Sequence, residues 1–205
     1  SASFDVQFGF NGEYQAQLHG LAQAAGIEAT VEDDPTNTYA FPFGPGTSTF
    51  FFDYPAGTAF ARFQLRDDFT DGEDDLDLYV FQCDPAGSCF ELGSSATATS
   101  NEQVDVPFPI SVEEGFYAVE VHAFETDGPD ATYTMLTWDF GLDDDRGNFV
   151  VDAPSEGSLG TTAPITVTWP GAEPLIDTSL YLGAVSHSTE SGLVGLTLID
   201  LVTVD

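Results

Sequence analysis

Lysine is absent from the 205 residues, and the cationic side chains are confined to Arg62, Arg66 and Arg146. A surface so poor in positive charge has nothing with which to hold phosphates. Nucleic acid and anionic membranes are therefore excluded as partners. No apolar run approaches the ~20 residues that a membrane-spanning helix needs. Only two cysteines occur, Cys83 and Cys89, too few ligands for a zinc site. An initiating methionine and a signal segment are also missing. A chain that starts at Ser1 is expected to be a mature or excised product whose targeting segment has been removed.

Acid is what the chain has in excess. Thirty-five Asp and Glu give a formal net charge of −32. Self-repulsion of that size opposes compaction unless salt or bound cations screen it, and the Debye length falls to ~3 Å only at 1 M salt. The expected setting is extracellular, and saline or rich in calcium. High charge with few apolar residues would indicate disorder. Here 42% of residues are hydrophobic and phenylalanine alone occurs 18 times, so the chain should fold. Eighteen Phe beside only two Trp suit a sandwich core better than a sugar-stacking strip.

Period-two alternation recurs along the sequence, with Gly, Pro, Asp and Ser between the runs. It is seen in Phe4, Val6, Phe8 and Phe10, in Ala59, Ala61, Phe63 and Leu65, in Val104, Val106, Phe108 and Ile110, and in Tyr117, Val119, Val121 and Ala123. Residues 18–29, LHGLAQAAGIEA, are the one candidate helix, weakened by its glycines. The expected fold is all-β, a jelly-roll-like antiparallel β-sandwich over residues 1–142. A small immunoglobulin-like β-domain or incomplete sheet is expected over 148–205, after the acidic, strand-poor GLDDDRGN. Four strand candidates in that tail are too few for a sandwich of about seven strands. The tail must pack on the first domain, borrow a strand, or keep an open edge.

Between Cys83 and Cys89 lie DPAGS, whose Asp84, Pro85 and Gly87 are turn formers. A disulfide across this hairpin tip would contribute about 2 kcal/mol through chain entropy. Two free thiols are the alternative. Just upstream, residues 71–80 read DGEDDLDLYV. Leu76, Leu78 and Val80 face one way, and Asp75, Asp77 and Tyr79 the other. Asp71 and Asp74 lie in a loop able to fold back towards that acidic face, and Asp68 stands just before it. Hard cations take six to eight oxygen ligands, which such a cluster offers. The spacing is not that of an EF-hand, because Gly72 comes too early and no Glu stands at the twelfth position. A solvated acidic loop on a salt-adapted surface is the alternative reading.

The runs DGEDDLDLYVFQCDPAGSC, SSATATSNEQVDV, GFYAVEVHAFETDGPDATYTMLTWDF and YLGAVSHSTESGLVGLTLIDL, after FGFNGEYQAQLHGL, resemble the region downstream of the catalytic domain in secreted bacterial subtilisin-like serine proteases. Residues from about 45 to 140 look like the bacterial pre-peptidase C-terminal domain. The resemblance implies a non-catalytic accessory role in secretion, stabilisation, calcium retention or attachment to insoluble protein. It also places Glu102 beside the acidic loop, which completes the candidate calcium ligands as Asp68, Asp71, Asp74, Asp75, Asp77 and Glu102. The implied partners are a parent protease domain, a protein substrate or a surface.

GTST at 46–49 echoes a subtilase nucleophile motif, but Ser48 runs into Phe50, Phe51 and Phe52, a strand rather than a helix of small residues. His19, His122 and His187 are scattered and lack a matching acid, and His122 reads as a sheet-surface residue. No enzyme is expected. The other reading is a self-assembling extracellular filament, a homopolymer in which SFDVQFGF completes a neighbour's sheet.

Overall fold

The structure, a computed structural model, describes residues 1–84, 86–107, 115–169 and 179–203. Pro85, Phe108, Ile110 and the last two residues of the closing strand candidate lie outside them. The described residues are all-β. Their strands are β1 (Ala2–Gln7), β2 (Gly12–Glu13), β3 (Gln15–Gln23), β4 (Ala25–Glu32), β5 (Thr47–Tyr54), β6 (Thr58–Gln64), β7 (Asp75–Cys83) and β8 (Cys89–Ser95). There follow β9 (Gln103–Pro107), β10 (Gly115–Glu125), β11 (Asp130–Gly141), β12 (Val150–Asp152), β13 (Glu156–Gly157), β14 (Thr162–Thr168), β15 (Leu180–Thr189) and β16 (Gly192–Val202). One 3₁₀ turn, Asp67–Phe69, precedes β7.

Two compact units form: a central unit of residues 25–139 and a terminal unit of 1–24 with 140–205. The central unit is an antiparallel sandwich of two four-stranded sheets, ordered β5-β10-β7-β8 and β4-β11-β6-β9. Alternation explains it strand by strand. Leu76, Leu78 and Val80 of β7 and Val119 and Val121 of β10 meet Ala61 and Phe63 of β6 and Tyr133 and Met135 of β11 in one core. Register between β10 and β7 runs from Phe116↔Cys83 to Ala123↔Leu76, with a bulge before Glu125↔Asp75. The hairpin of β7 and β8 carries the Cys83–Cys89 disulfide, as its turn chemistry suggested.

In the terminal unit the tail takes its missing strands from the chain's own N-terminus. β1 pairs with β14 from Ala2↔Val167 to Gln7↔Thr162, and β3 pairs with β15. The two three-stranded sheets, β1-β14-β12 and β16-β15-β3, enclose Leu21, Phe149, Val167, Tyr181 and Val185. Donation of β1 to another molecule would have to replace these hydrogen bonds.

The candidate helix at 18–29 is corrected to two strands. Gly20 (φ +87) and Gly26 interrupt helix propagation, and the flanking residues find ladder partners in β15 and β11. Leu78 is fully buried at the centre of the sandwich. Leu78→Ala should lower the unfolding free energy by about 2–5 kcal/mol in urea titrations. Phe90→Ala, at an exposed position, should stay within about 0.5 kcal/mol of the parent.

Candidate functional site

The acidic loop is stitched to its surroundings by its own carboxylates and backbone. Asp71 N–H donates to Thr132 O (2.9 Å), and Thr132 N–H donates to Asp71 Oδ1 (2.7 Å). Ser100, fully buried, donates its hydroxyl to Asp74 O (2.7 Å) and its N–H to Asp67 Oδ1 (2.8 Å). The turn after β10 brings in a further acid that the sequence did not flag. Asp127 N–H donates to Asp74 Oδ1 (3.2 Å), and Glu73 N–H donates to Asp127 Oδ2 (3.2 Å). Gly72 lies close beneath it, and a Cβ there, 2.5 Å from Asp127 Oδ1, would displace that carboxylate.

What stands out is an unmet demand. Asp74 is 6% exposed, and its Oδ2 has no hydrogen-bond partner; Asp75 Oδ1 is buried without one either. Buried carboxylate oxygens are ordinarily satisfied. Asp75 also faces Glu125 directly across the ladder, a like-charge pair that opposes pairing. Burial pushes the Asp74 carboxyl up, with the charges of Asp127 and Asp71 adding to it. Burial and the charges of Asp77, Glu102 and Glu125 do the same for Asp75.

The six carboxylates expected to act together fall into four environments. Asp71, Asp74 and Asp75 belong to the strained cluster just described. Asp68 points to solvent, 3.6 Å from Arg66. Glu102, fully buried, accepts from Ser95 Oγ, Thr97 N–H (2.7 Å) and Thr97 Oγ1 (2.6 Å), and so closes its own loop. Asp77 turns to His122 and Tyr79. Among the described residues no three His, Cys, Asp or Glu side chains converge as they stand on one metal position. The oxygen-only donor set around Asp74 suits a hard cation, and side-chain rotation would be needed to close it.

The second site is one that reading the sequence missed. His122, expected on a sheet surface, and Asp34, in the loop after β4, are both fully buried. Loop 33–46 lies over the outer face of the β5-β10-β7-β8 sheet. Asp34 is shaped into a turn by Thr36 N–H (2.9 Å) and Thr38 N–H (3.1 Å). Gly46 (φ +62) lets the returning chain pass Asp34, where a Cβ would lie 2.6 Å from the Asp34 Cβ. His122 then bridges Asp34 Oδ2 (Nε2, 3.0 Å) and Asp77 Oδ2 (Nδ1, 3.4 Å). Beside it the Tyr39 ring stacks on Tyr79 at 3.7 Å, and Tyr39 Oη donates to buried Glu120 Oε2 (2.6 Å).

Burial alone would lower the His122 pKa, but the hydrogen bonds to Asp77 and Asp34 outweigh it and raise it above the ordinary imidazole value. The same contact, followed by the Thr36 N–H, holds Asp34 well below the usual carboxylate range. The signal was present in the sequence as Glu120 and His122 on the outward face of a strand whose other face is wholly apolar. Nothing in the sequence said which loop would cover them.

In the terminal unit His19 Nε2 lies 2.8 Å from Ser186 Oγ, and His187 bridges Tyr14 Oη (2.6 Å) and Thr197 Oγ1 (2.8 Å). Among the described residues no carboxylate hydrogen-bonds His19 Nδ1, so the Ser–His pair lacks the orienting acid of a hydrolytic triad. Burial lowers both of these imidazoles, against the Leu142 carbonyl and Asp144 in the case of His19. No protein-family model and no curated protein sequence matches the chain.

The opposite shifts give a pH dependence of defined sign. A raised histidine contributes stability that is complete below its unfolded pKa, near 6.5, and is lost as pH climbs through the folded value. His19 and His187, being lowered, act the other way and are neutral in both states above about pH 7. Urea midpoints measured in 1 M NaCl should therefore fall between pH 7 and pH 9. His122→Gln should remove that slope.

Proposed function

We propose that the chain is a non-catalytic extracellular module of a subtilase-like secreted protein, stabilised by calcium, that supports its parent or attaches it to a substrate or surface. The observation that carries the metal part is the buried Asp74 Oδ2, unpartnered beside the carboxylates of Asp71 and Asp127. Asp74 would hold the cation with Asp71 and Asp127, whose charges act on its carboxyl, while Asp75 meets Asp77, Glu102 and Glu125 instead. A bound divalent cation supplies the positive charge that a chain without lysine cannot place there. It would tie the loop before β7 to the turn after β10, two segments of the same sandwich, and so act through the folded state. What supports the non-catalytic reading is the interior position of the Ser186–His19 pair, 4% and 1% exposed, without an acid on the second ring nitrogen.

Calorimetry in 1 M NaCl, where general screening is already saturated, tests the reading. Calcium at 100 times its dissociation constant should stabilise the fold by about 2.7 kcal/mol. Equimolar magnesium should do much less, because it sheds water reluctantly and demands octahedral geometry. Asp74→Asn should abolish the calcium response while leaving the metal-free protein at least as stable, since one repelling charge is gone. Equal shifts with both cations would reduce the effect to charge screening and sink the proposal.

A further inference from the structure

The outer face of the β5-β10-β7-β8 sheet also carries exposed aromatic rings, set over a small buried cluster of Phe81, Cys83 and Ala118. Alternation sends Phe50 and Phe52 of β5 and Tyr117 and Val119 of β10 to the core, and leaves Phe51 and Phe116 on the opposite face. Phe51 stacks on Phe116 with ring centroids 5.3 Å apart, and Phe43 of loop 33–46 meets Phe51 edge-on at 6.3 Å. Phe41, from the same loop, stacks on Phe81 at 4.0 Å. Phe43 is 66% exposed, Phe51 55% and Phe41 38%. The expectation that the phenylalanines serve the core is thus corrected for this face. A contiguous apolar patch of large rings is what interaction surfaces expose.

Two further observations separate this patch from scattered surface phenylalanines. Phe43 is held at φ +57, a backbone region that bulky residues avoid and that the surrounding structure must impose. The imposition is visible: its N–H donates to Glu120 Oε1 (3.3 Å), while Gly44 is wedged where a Cβ would lie 2.4 Å from Ala40 O. The second is charge. Exposed Asp53 is the cross-strand partner of Phe116, and exposed Glu91 that of Phe81. The three arginines are engaged elsewhere, with Asp105, Asp68 and Asp144. Ring faces attract cations, and the flanking carboxylates strengthen that preference.

We propose that Phe41, Phe43, Phe51 and Phe116 form a docking surface for a polypeptide segment that alternates apolar side chains with lysine or arginine. The proposal rests on the attachment arm of the function above and names its ligand chemistry. A second copy of the chain is disfavoured by its own charge of −32. Sugars would meet rings without the hydroxyl of Tyr or the N–H of Trp.

The test is fluorescence anisotropy of the intact chain with the labelled heptapeptide Lys-Phe-Lys-Leu-Lys-Phe-Lys in 0.15 M NaCl. Its companions are a version with Ser at the apolar positions and a version with Glu at the basic ones. The first should bind at least tenfold more tightly than either companion. Phe43→Asn with Phe51→Thr, chosen to suit the left-handed and strand conformations, should erase that preference with the melting temperature kept. Asp53→Asn, which leaves the rings in place, should weaken binding severalfold. Binding unchanged in the double variant, or equal for the Phe and Ser peptides, would reduce the interaction to diffuse charge attraction and overturn the proposal. A calcium response in melting without ring-dependent binding overturns this surface alone. Ring-dependent binding without a calcium response removes the metal and supports the surface.

Discussion

Disposing of negative charge is the constraint on which the rest of this structure depends. With three arginines and no lysine, salt bridges cannot neutralise 35 acids, and most must stay in solvent. Among the described residues five do not: Asp34, Asp74, Asp77, Glu102 and Glu120 are buried, all in the central unit. Four of these are met by groups that carry no permanent charge. Backbone N–H and threonine hydroxyls serve Asp34 and Glu102, a tyrosine serves Glu120, and one imidazole is shared by Asp34 and Asp77. The neutral donors satisfy a carboxylate without adding a second ion that would itself need desolvating, and only the imidazole, when protonated, brings a charge of its own. Asp74 is the exception, with one oxygen met and the other not.

That exception is informative because it is local. The same chain that builds donors around Glu102 from a serine and a threonine places Asp71, Asp127 and Glu125, further acids, near Asp74 and Asp75. Clustering acceptors round an acceptor is unfavourable for an empty site and favourable for one that takes a divalent ion. Salt alone screens exposed charges over a few ångströms, but it reaches a buried oxygen poorly. The acidic surface and the acidic cluster therefore call for different physical remedies, solvent ions in bulk for the first and, on the proposal above, a single coordinated cation for the second.

How much of this was legible in the sequence follows from the range of each interaction. Alternation in β6, β7 and β10 marked the core faces directly, because a period of two decides which side chain is buried without reference to any partner. The turn at 84–88 marked the hairpin and its disulfide for the same local reason. The segment 18–29 misled because Ala, Leu and Gln favour helix on their own, and only pairing with β15 and β11 overrides them. Residues 1–24 gave no local sign that they complete the tail's sheets. His122, Asp127 and the exposed rings depended wholly on which loop comes to lie against which strand, information that is tertiary by nature.

Loop 33–46 links the two sites of the outer sheet face, and its order matters to both. Its first half brings Asp34 to His122, a buried contact, and Tyr39 to Glu120, a part-buried one, both at short distance. Its second half carries Phe41 and Phe43, which are exposed. A bulky residue in the left-handed region is costly by itself, of order 1–3 kcal/mol. It persists where neighbouring contacts over-determine the backbone, and the N–H of Phe43 ends on Glu120, the same carboxylate that Tyr39 reaches. The buried polar contacts thus give the exposed rings a fixed position, so that a partner would meet them without having to order them first. In a protein whose charge repels most surfaces like its own, rigid presentation of a few uncharged rings is a way to obtain selective contact without cations.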